Sequence, residues 1–282
     1  MIKFPINLRF FRKKEKLNRQ INRLNGIEFA CVPRGETVFA IGDIHGELQL
    51  WEKLHAGLRA LPQASPDQSI KFLVLGDMID RGPESAKTLE SIIKLQNDSS
   101  KKHFLIALKG NHEQMLIEFL DNPETYGGRW LANGGNLTLS SYGVHCPTHV
   151  GEKQLRYLRD EFTEKFPKTH LQFLNNLVSK FTIGDFFFCH AGVKRSILLA
   201  DQAEKDLIWT SSYPKETDEP QEKIIVHGHV PVTQPVKARY HVNVDTGAYL
   251  TGKLTAVRLH ENSCDFWQVS KSNKFESVES KI

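Results

Sequence analysis

Three short runs of β-branched and aromatic residues, TVFAIGD from Thr37, IKFLVLGD from Ile70 and HFLIALKGN from His103, each end in a glycine and a polar residue. Runs of this length and composition predict β-strands. Between them lie LQLWEKLHAGLRAL from Leu48 and ESAKTLESIIKL from Glu84, whose apolar residues recur at spacings of three and four and predict helices. The order is βαβαβ. Right-handed crossovers make such strands parallel with their C-terminal ends on one edge, outside which open α/β sheets bind ligands. Asp43, His45, Asp77, Asp80, Asn111 and His112 are all expected at that edge.

From Met115 to Lys180 the pattern is mainly helical, in QMLIEFL, LRYLRDEF and HLQFLNNLVSKF. Its stretch NPETYGGRWLANGGN is too rich in glycine to predict a helix and is read as an irregular cover on the substrate side. Strands return from Asp185 in DFFFCH, KIIVHGH, RYHVNVDTG, KLTAVRL and DFWQVS. Their close spacing predicts a second, largely antiparallel sheet packed on the first. The predicted class is α/β. Residues 1–36 are read as a basic N-terminal extension, 37–270 as one domain with 115–180 mostly helical, and 271–282 as a polar tail that frays.

Composition narrows the class. With 40% hydrophobic and 25% charged residues, and no apolar run long enough for a bilayer, the chain reads as a globular protein without a membrane span. The net charge of +4 is mild and its excess lies in Lys3, Arg9, Arg12, Lys13, Lys14, Lys16, Arg19 and Arg23, read as a solvated stretch rather than a nucleic-acid site. No secretory signal pattern is visible, and four scattered cysteines without CxxC spacing suit a reduced, cytoplasmic protein, here expected to be a monomer. Cys189, closing the run FFFC, is read as a buried thiol rather than a nucleophile.

Five polar clusters carry the candidate chemistry: GDIHG, GDMIDRG, GNHE, CHAG and HGH. Carboxylate, imidazole and amide oxygen together suit Mn²⁺, Fe or Zn²⁺ rather than Ca²⁺ or a structural zinc. A dinuclear centre needs a bridging carboxylate, and Asp77, central among the strands, is the natural one. Two cations would polarise a phosphoryl group and acidify a water for direct attack on phosphorus. His112 is placed to protonate the leaving oxygen, Asp80 to orient His112, and Arg81 to grip phosphate. His227 and His241 are given supporting roles.

Together these clusters resemble the phosphoprotein phosphatase family of calcineurin-like metallophosphoesterases, in particular the bacterial and phage lambda-type serine/threonine protein phosphatases. GNHEQMLIEFL, WLANGG and DTGAYLTGKLTAV extend the likeness from about Thr37 to Leu259. The resemblance implies a two-sheet β-sandwich flanked by helices. It implies one metal on Asp43, His45 and Asp77 and another on Asp77, Asn111, His190 and His229, and it alone selects His229 over His227. Asn111, His112 and Arg81 would also meet the substrate. One departure stands out: members of the phage type carry an arginine where this chain has Ser211.

The function so implied is hydrolysis of phosphoserine, phosphothreonine or phosphotyrosine in proteins, with two divalent ions, most simply Mn²⁺, and small aryl phosphates as artificial substrates. A diadenosine polyphosphate or nucleotide anhydride hydrolase is the alternative, against which the resemblance sets the intact DRG of Asp80, Arg81 and Gly82. A third reading is an inactive phosphoprotein-binding module.

Overall fold

The protein is described by a computed structural model over residues 24–62, 68–98, 103–272 and 274–281, so the basic cluster from Lys3 to Arg23 lies outside the described residues. β1 (Glu36–Ile41), β2 (Ser69–Val74) and β3 (His103–Ala107) are parallel neighbours, with α1 (Leu48–Ala60) and α2 (Ser85–Asn97) as crossovers. Successive side chains take opposite faces. Phe39, Ile41, Phe72 and Val74 pack on Trp51, Leu54, Leu89 and Ile92, whereas Val38, Ala40 and Leu73 face a second sheet. Burial on both faces explains why these runs are apolar without alternation.

The helical middle comprises α3 (Asn111–Asp121), α4 (Pro123–Trp130), α5 (Asn136–Ser141), α6 (Glu152–Lys165) and α7 (Lys168–Asn175). The expectation that NPETYGGRWLANGGN is irregular fails over its first half. Asn122 Oδ1 accepts the amide of Thr125 at 3.1 Å, and Pro123 opens the helix where no amide is needed. A Cβ at Gly127 would lie 2.7 Å from Leu155, so glycine there permits close packing of α4 on α6. That contact outweighs the roughly 1 kcal/mol a helical glycine costs. Only Leu131–Gly135 departs, as a wide turn with Gly134 at φ 97°.

β4 (Lys180–Ile183), β5 (Phe186–Cys189), β6 (Ile224–His227), β7 (Val236–Lys237) and β8 (His241–Asn243) form the second sheet in the order β4-β5-β6-β8-β7. Its centre is parallel, β5 on β6 on β8, and only the edges are antiparallel. This corrects the expected antiparallel sheet. The connection from β5 to β6 is a long crossover carrying α8 (Glu204–Trp209), whose Leu207 and Ile208 cover Phe187, Cys189 and Ile225. A long crossover returns its strand parallel.

A second correction concerns the last strands. β9 (Lys253–His260), β10 (Ser263–Ser270) and β11 (Phe275–Val278) extend the first sheet, β9 lying antiparallel on β1. Close spacing predicted the hairpin, but not which open sheet edge would accept it. The tail from Lys271 does not simply fray: Phe275 stacks on Trp267 at 5.2 Å and pins β11. The fold is thus α/β, two mixed sheets face to face and flanked by helices. Among the described residues no helix is long and apolar enough to cross a membrane.

His55 shows how burial sets a charge state. Its ring stacks on Trp51 at 5.2 Å and meets Phe72 edge-on at 4.7 Å, and desolvation, helped by Arg59 and His103, depresses its pKa to about 4. The unfolded chain therefore binds the proton more readily, and the stability this group contributes is present above its ordinary pKa near 6.5 and lost as pH falls towards 4. Urea unfolding at about pH 7.5 and about pH 5 should show a loss of about 2 kcal/mol from this residue. His55→Phe should flatten the dependence by that amount; an unchanged pH slope in the variant refutes the assignment.

Candidate metal centre

Three mutually parallel strands in each sheet deliver one polar residue apiece just beyond their C-terminal ends. Asp43 follows β1, Asp77 β2, Asn111 β3, His190 β5, His229 β6 and Asp245 β8. The three sheet-one residues and the three sheet-two residues meet where the sandwich edges converge. Asp77 is the hub: its Oδ2 lies 3.3 Å from His190 Nε2, 3.7 Å from His45 Nε2 and 3.8 Å from His112 Nε2. His190 Nε2 is 2.9 Å from Asn111 Oδ1, and both Asp43 oxygens accept the amide of His229 at 3.2 Å. Two groups of ligand atoms share Asp77, namely His45, Asp77 and His112, and Asp77, His190 and His229, each within 4.8 Å.

This crowding is held in strained backbone. His45, Asp77, Asp80, Arg81 and His229 all have φ between 47° and 69°, and among the described non-glycine residues only Glu261 joins them in that region. Such conformations cost about 1–3 kcal/mol each and persist where packing over-determines them. Glu113 supplies part of the restraint. It is buried on α3 and accepts the amides of Asp77 and Gly110 at 2.9 Å and of Met78 at 2.8 Å, shaping the turns after β2 and β3 together.

The donor set fits divalent cations. Burial and the neighbouring Asp245 push Asp43 well above the usual carboxylate range, and burial lifts Asp245 to about 6. Burial would lift Asp77 too, but His190, His112 and His45 hold it well below its ordinary value. Such a buried surplus of carboxylate calls for positive charge. Burial also depresses His45 to about 3 and His229 to about 4, leaving two candidate ligands as neutral imidazoles, whereas against burial Asp77 and Asp43 raise His190 to about 10, holding there a proton that a bound cation would displace.

Beside this cluster lies a proton-donor pair. His112 Nδ1 is 2.7 Å from Asp80 Oδ2, while its Nε2 is buried with no hydrogen-bond partner among the described residues. Although burial works against it, Asp77 and Asp80 raise the His112 pKa, favouring imidazolium. Asp80 is itself clamped, receiving Trp130 Nε1 at 3.0 Å and the Thr138 hydroxyl at 2.6 Å. The glycine-rich segment expected as a cover therefore also reaches beneath the site. Gly134 donates nothing but space and a carbonyl: its oxygen accepts the Arg81 amide at 3.3 Å, and a Cβ there would sit 2.6 Å from that nitrogen. The Arg81 guanidinium lies 3.2 Å from His45 Nε2 and 4.9 Å over the Tyr249 ring.

Sequence reasoning overlooked Asp245, Glu113, Trp130, Thr138 and Tyr249. Asp245 carries only a weaker form of the strand-end signal, since the stretch HVNV before it is interrupted by polar residues and lacks the closing glycine. Glu113 and Thr138 carry no such signal, because their partners lie 36 and 58 residues away. His227 stacks on Tyr213 at 5.0 Å and meets His241 at 3.2 Å, outside the cluster around Asp77. Cys189 is buried, and burial pushes its thiol to about 12, leaving no thiolate at neutral pH. Ser211 is exposed after α8.

The profile described as calcineurin-like phosphoesterase matches residues 36–267. Bis(5'-nucleosyl)-tetraphosphatase PrpE (asymmetrical) of Bacillus cereus is 29% identical over 248 residues, covering 78% of this chain and 89% of that protein. Among solved structures, a protein described as a candidate diadenosine tetraphosphatase aligns with a TM-score of 0.54 at 16% identity, over 87% of this chain and 94% of its own. A cold-active protein-tyrosine phosphatase of a psychrophilic Shewanella species aligns with a TM-score of 0.57 at 16% identity, over 90% and 84%. At such identities the two structures bear on the fold alone.

Proposed function

The chain belongs to the calcineurin-like phosphoesterase family, and from that premise we propose that it hydrolyses the phosphoanhydride chain of dinucleoside tetraphosphates. The observation that carries this substrate class is the alignment with an asymmetrical bis(5'-nucleosyl)-tetraphosphatase over 78% of this chain and 89% of that protein. It favours the nucleotide alternative over the phosphoprotein reading to which the sequence clusters first pointed. The intact Asp80 and Arg81 do not oppose it, because both address the phosphoryl group and the leaving oxygen, which esters and anhydrides share.

Asp43, His45 and Asp77 would hold one divalent cation and Asp77, Asn111, His190 and His229 the other, with Mn²⁺ the ion best suited to mixed oxygen and imidazole donors. When bound, two such ions offset phosphoryl charge and lower the pKa of water enough for direct attack on phosphorus. The chain's own residues do the rest. Arg81 binds phosphoryl oxygens and turns the scissile bond towards His112. The imidazolium Nε2, without a hydrogen-bond partner among the described residues, protonates the departing oxygen, and Asp80 keeps the ring charged and fixed through Nδ1. Trp130 and Thr138 stop Asp80 from turning away.

With Mn²⁺ added, kcat/KM on diadenosine tetraphosphate should exceed that on a phosphoserine peptide by roughly a hundredfold, with AMP and ATP as products. A faster peptide reaction overturns the substrate class. Proton donation matters most where the leaving oxygen is basic, so His112→Asn should cost roughly 10²–10⁴-fold on the peptide and less on the anhydride. Equal losses on both would remove His112 from the donor role.

A further inference from the structure

One cavity next to the centre has chemistry that phosphate hydrolysis does not use. It measures about 570 Å³ and is lined by Gln114, Glu118, Tyr126, Arg129, Ile208 and Trp209 among others. Its position follows from α3. Asn111, Gln114 and Glu118 are spaced at three and seven and share a helix face, so the cavity starts about 5 Å along the axis from Asn111 and continues for about another turn. Its other wall, α8, is tied to the same centre twice: Glu204 pairs with Lys109 at 2.9 Å, just before Gly110, and Leu207 accepts the amide of Ala191 at 2.7 Å, next to His190.

The lining suits a flat heterocycle. The Arg129 guanidinium lies 4.1 Å from the centre of the Trp209 ring, exposed and without an ion-pair partner among the described residues. Arg195, by contrast, is engaged by Asp218 at 2.8 Å. A guanidinium braced on an indole presents its outer plane as a stacking surface, and Tyr126, 36% exposed, adds a second ring. Gln114 Nε2 donates to Glu118 Oε1 at 3.1 Å, which leaves the Gln114 carbonyl and the second Glu118 oxygen as acceptors for an exocyclic amine.

We propose that this cavity is the subsite for one nucleoside of the substrate, its base stacked on the Arg129–Trp209 pair and its amino group facing Gln114 and Glu118. The inference rests on the dinucleoside polyphosphate reading and assigns its specificity to α3, α4 and α8. It also implies preference for bases with an exocyclic amine.

The test compares diadenosine tetraphosphate with tripolyphosphate, which has the anhydride but no base. Trp209 also packs on the core, so the exposed Tyr126→Ala and Arg129→Gln are the variants of choice. In each, the ratio of kcat/KM on the dinucleotide to that on tripolyphosphate should fall by about tenfold, mainly through KM. An unchanged ratio, whether both rates hold or both fall together, overturns the subsite. Should the wild-type protein cleave tripolyphosphate but not diadenosine tetraphosphate, the proposed function fails, and binding decides the subsite separately. Fluorescence titration in Mn²⁺ should then show AMP binding about tenfold tighter than inorganic phosphate, an advantage lost in Tyr126→Ala. AMP binding no tighter than phosphate overturns the subsite in that case.

Discussion

Asp77→Asn should lower kcat by about a thousandfold or more, about 4 kcal/mol of transition-state stabilisation. Among the described residues no other side chain faces three imidazoles at once, at 3.3, 3.7 and 3.8 Å, and none else belongs to both groups of candidate ligands. Asparagine keeps an oxygen able to accept the His112 amide, now made by Asp77 Oδ1 at 3.0 Å, so the backbone should survive while the shared negative charge is lost. Elemental analysis after dialysis should accompany the kinetics, with metal content dropping below two ions per chain. A variant that retains two ions and turns over within about tenfold of the parent would remove Asp77 from the bridging position.

Glu113→Ala should produce the largest loss of stability. The side chain is buried and satisfies the amides of Asp77, Met78 and Gly110, and its removal leaves three buried donors without acceptors. At about 1–3 kcal/mol for each orphaned group, a loss of about 5 kcal/mol is expected. In a domain of this size that corresponds to about 10–20 °C in Tm. Glu113→Gln should fall between the two, since one carboxamide oxygen can still serve Asp77 and Gly110 while its NH₂ confronts the amide of Met78. Thermal unfolding checks the order. If alanine shifts Tm by less than about 3 °C, the turns are held by something else.

These two residues also show where sequence reading ends. Asp77 announces itself because an apolar strand closed by glycine and a carboxylate is a local pattern, and a parallel sheet aligns every such ending. Asp43 repeats that pattern, Asn111 follows glycine with an amide in place of the carboxylate, and Asp245, with no glycine before it, went unrecognised. Glu113 sits inside an ordinary amphipathic helix, and nothing nearby shows that it reaches back to the turn after β2. Trp130 and Thr138 are similar, their value lying in an Asp80 that is 50 and 58 residues distant. The glycine-rich stretch around Trp130 misled because propensity is weak beside close helix packing.

By itself, the sequence determined the α/β class and the strands that end in metal-binding residue types, because periodicity and strand-end chemistry act over a few residues. Only the tertiary structure decided that β9 to β11 join the first sheet, that β5, β6 and β8 run parallel, and that α3, α4 and α8 enclose a cavity beside Asn111. Those outcomes depend on which open sheet edges and helix faces find each other, a choice made by contacts between segments far apart in the chain and therefore written in no single stretch of it.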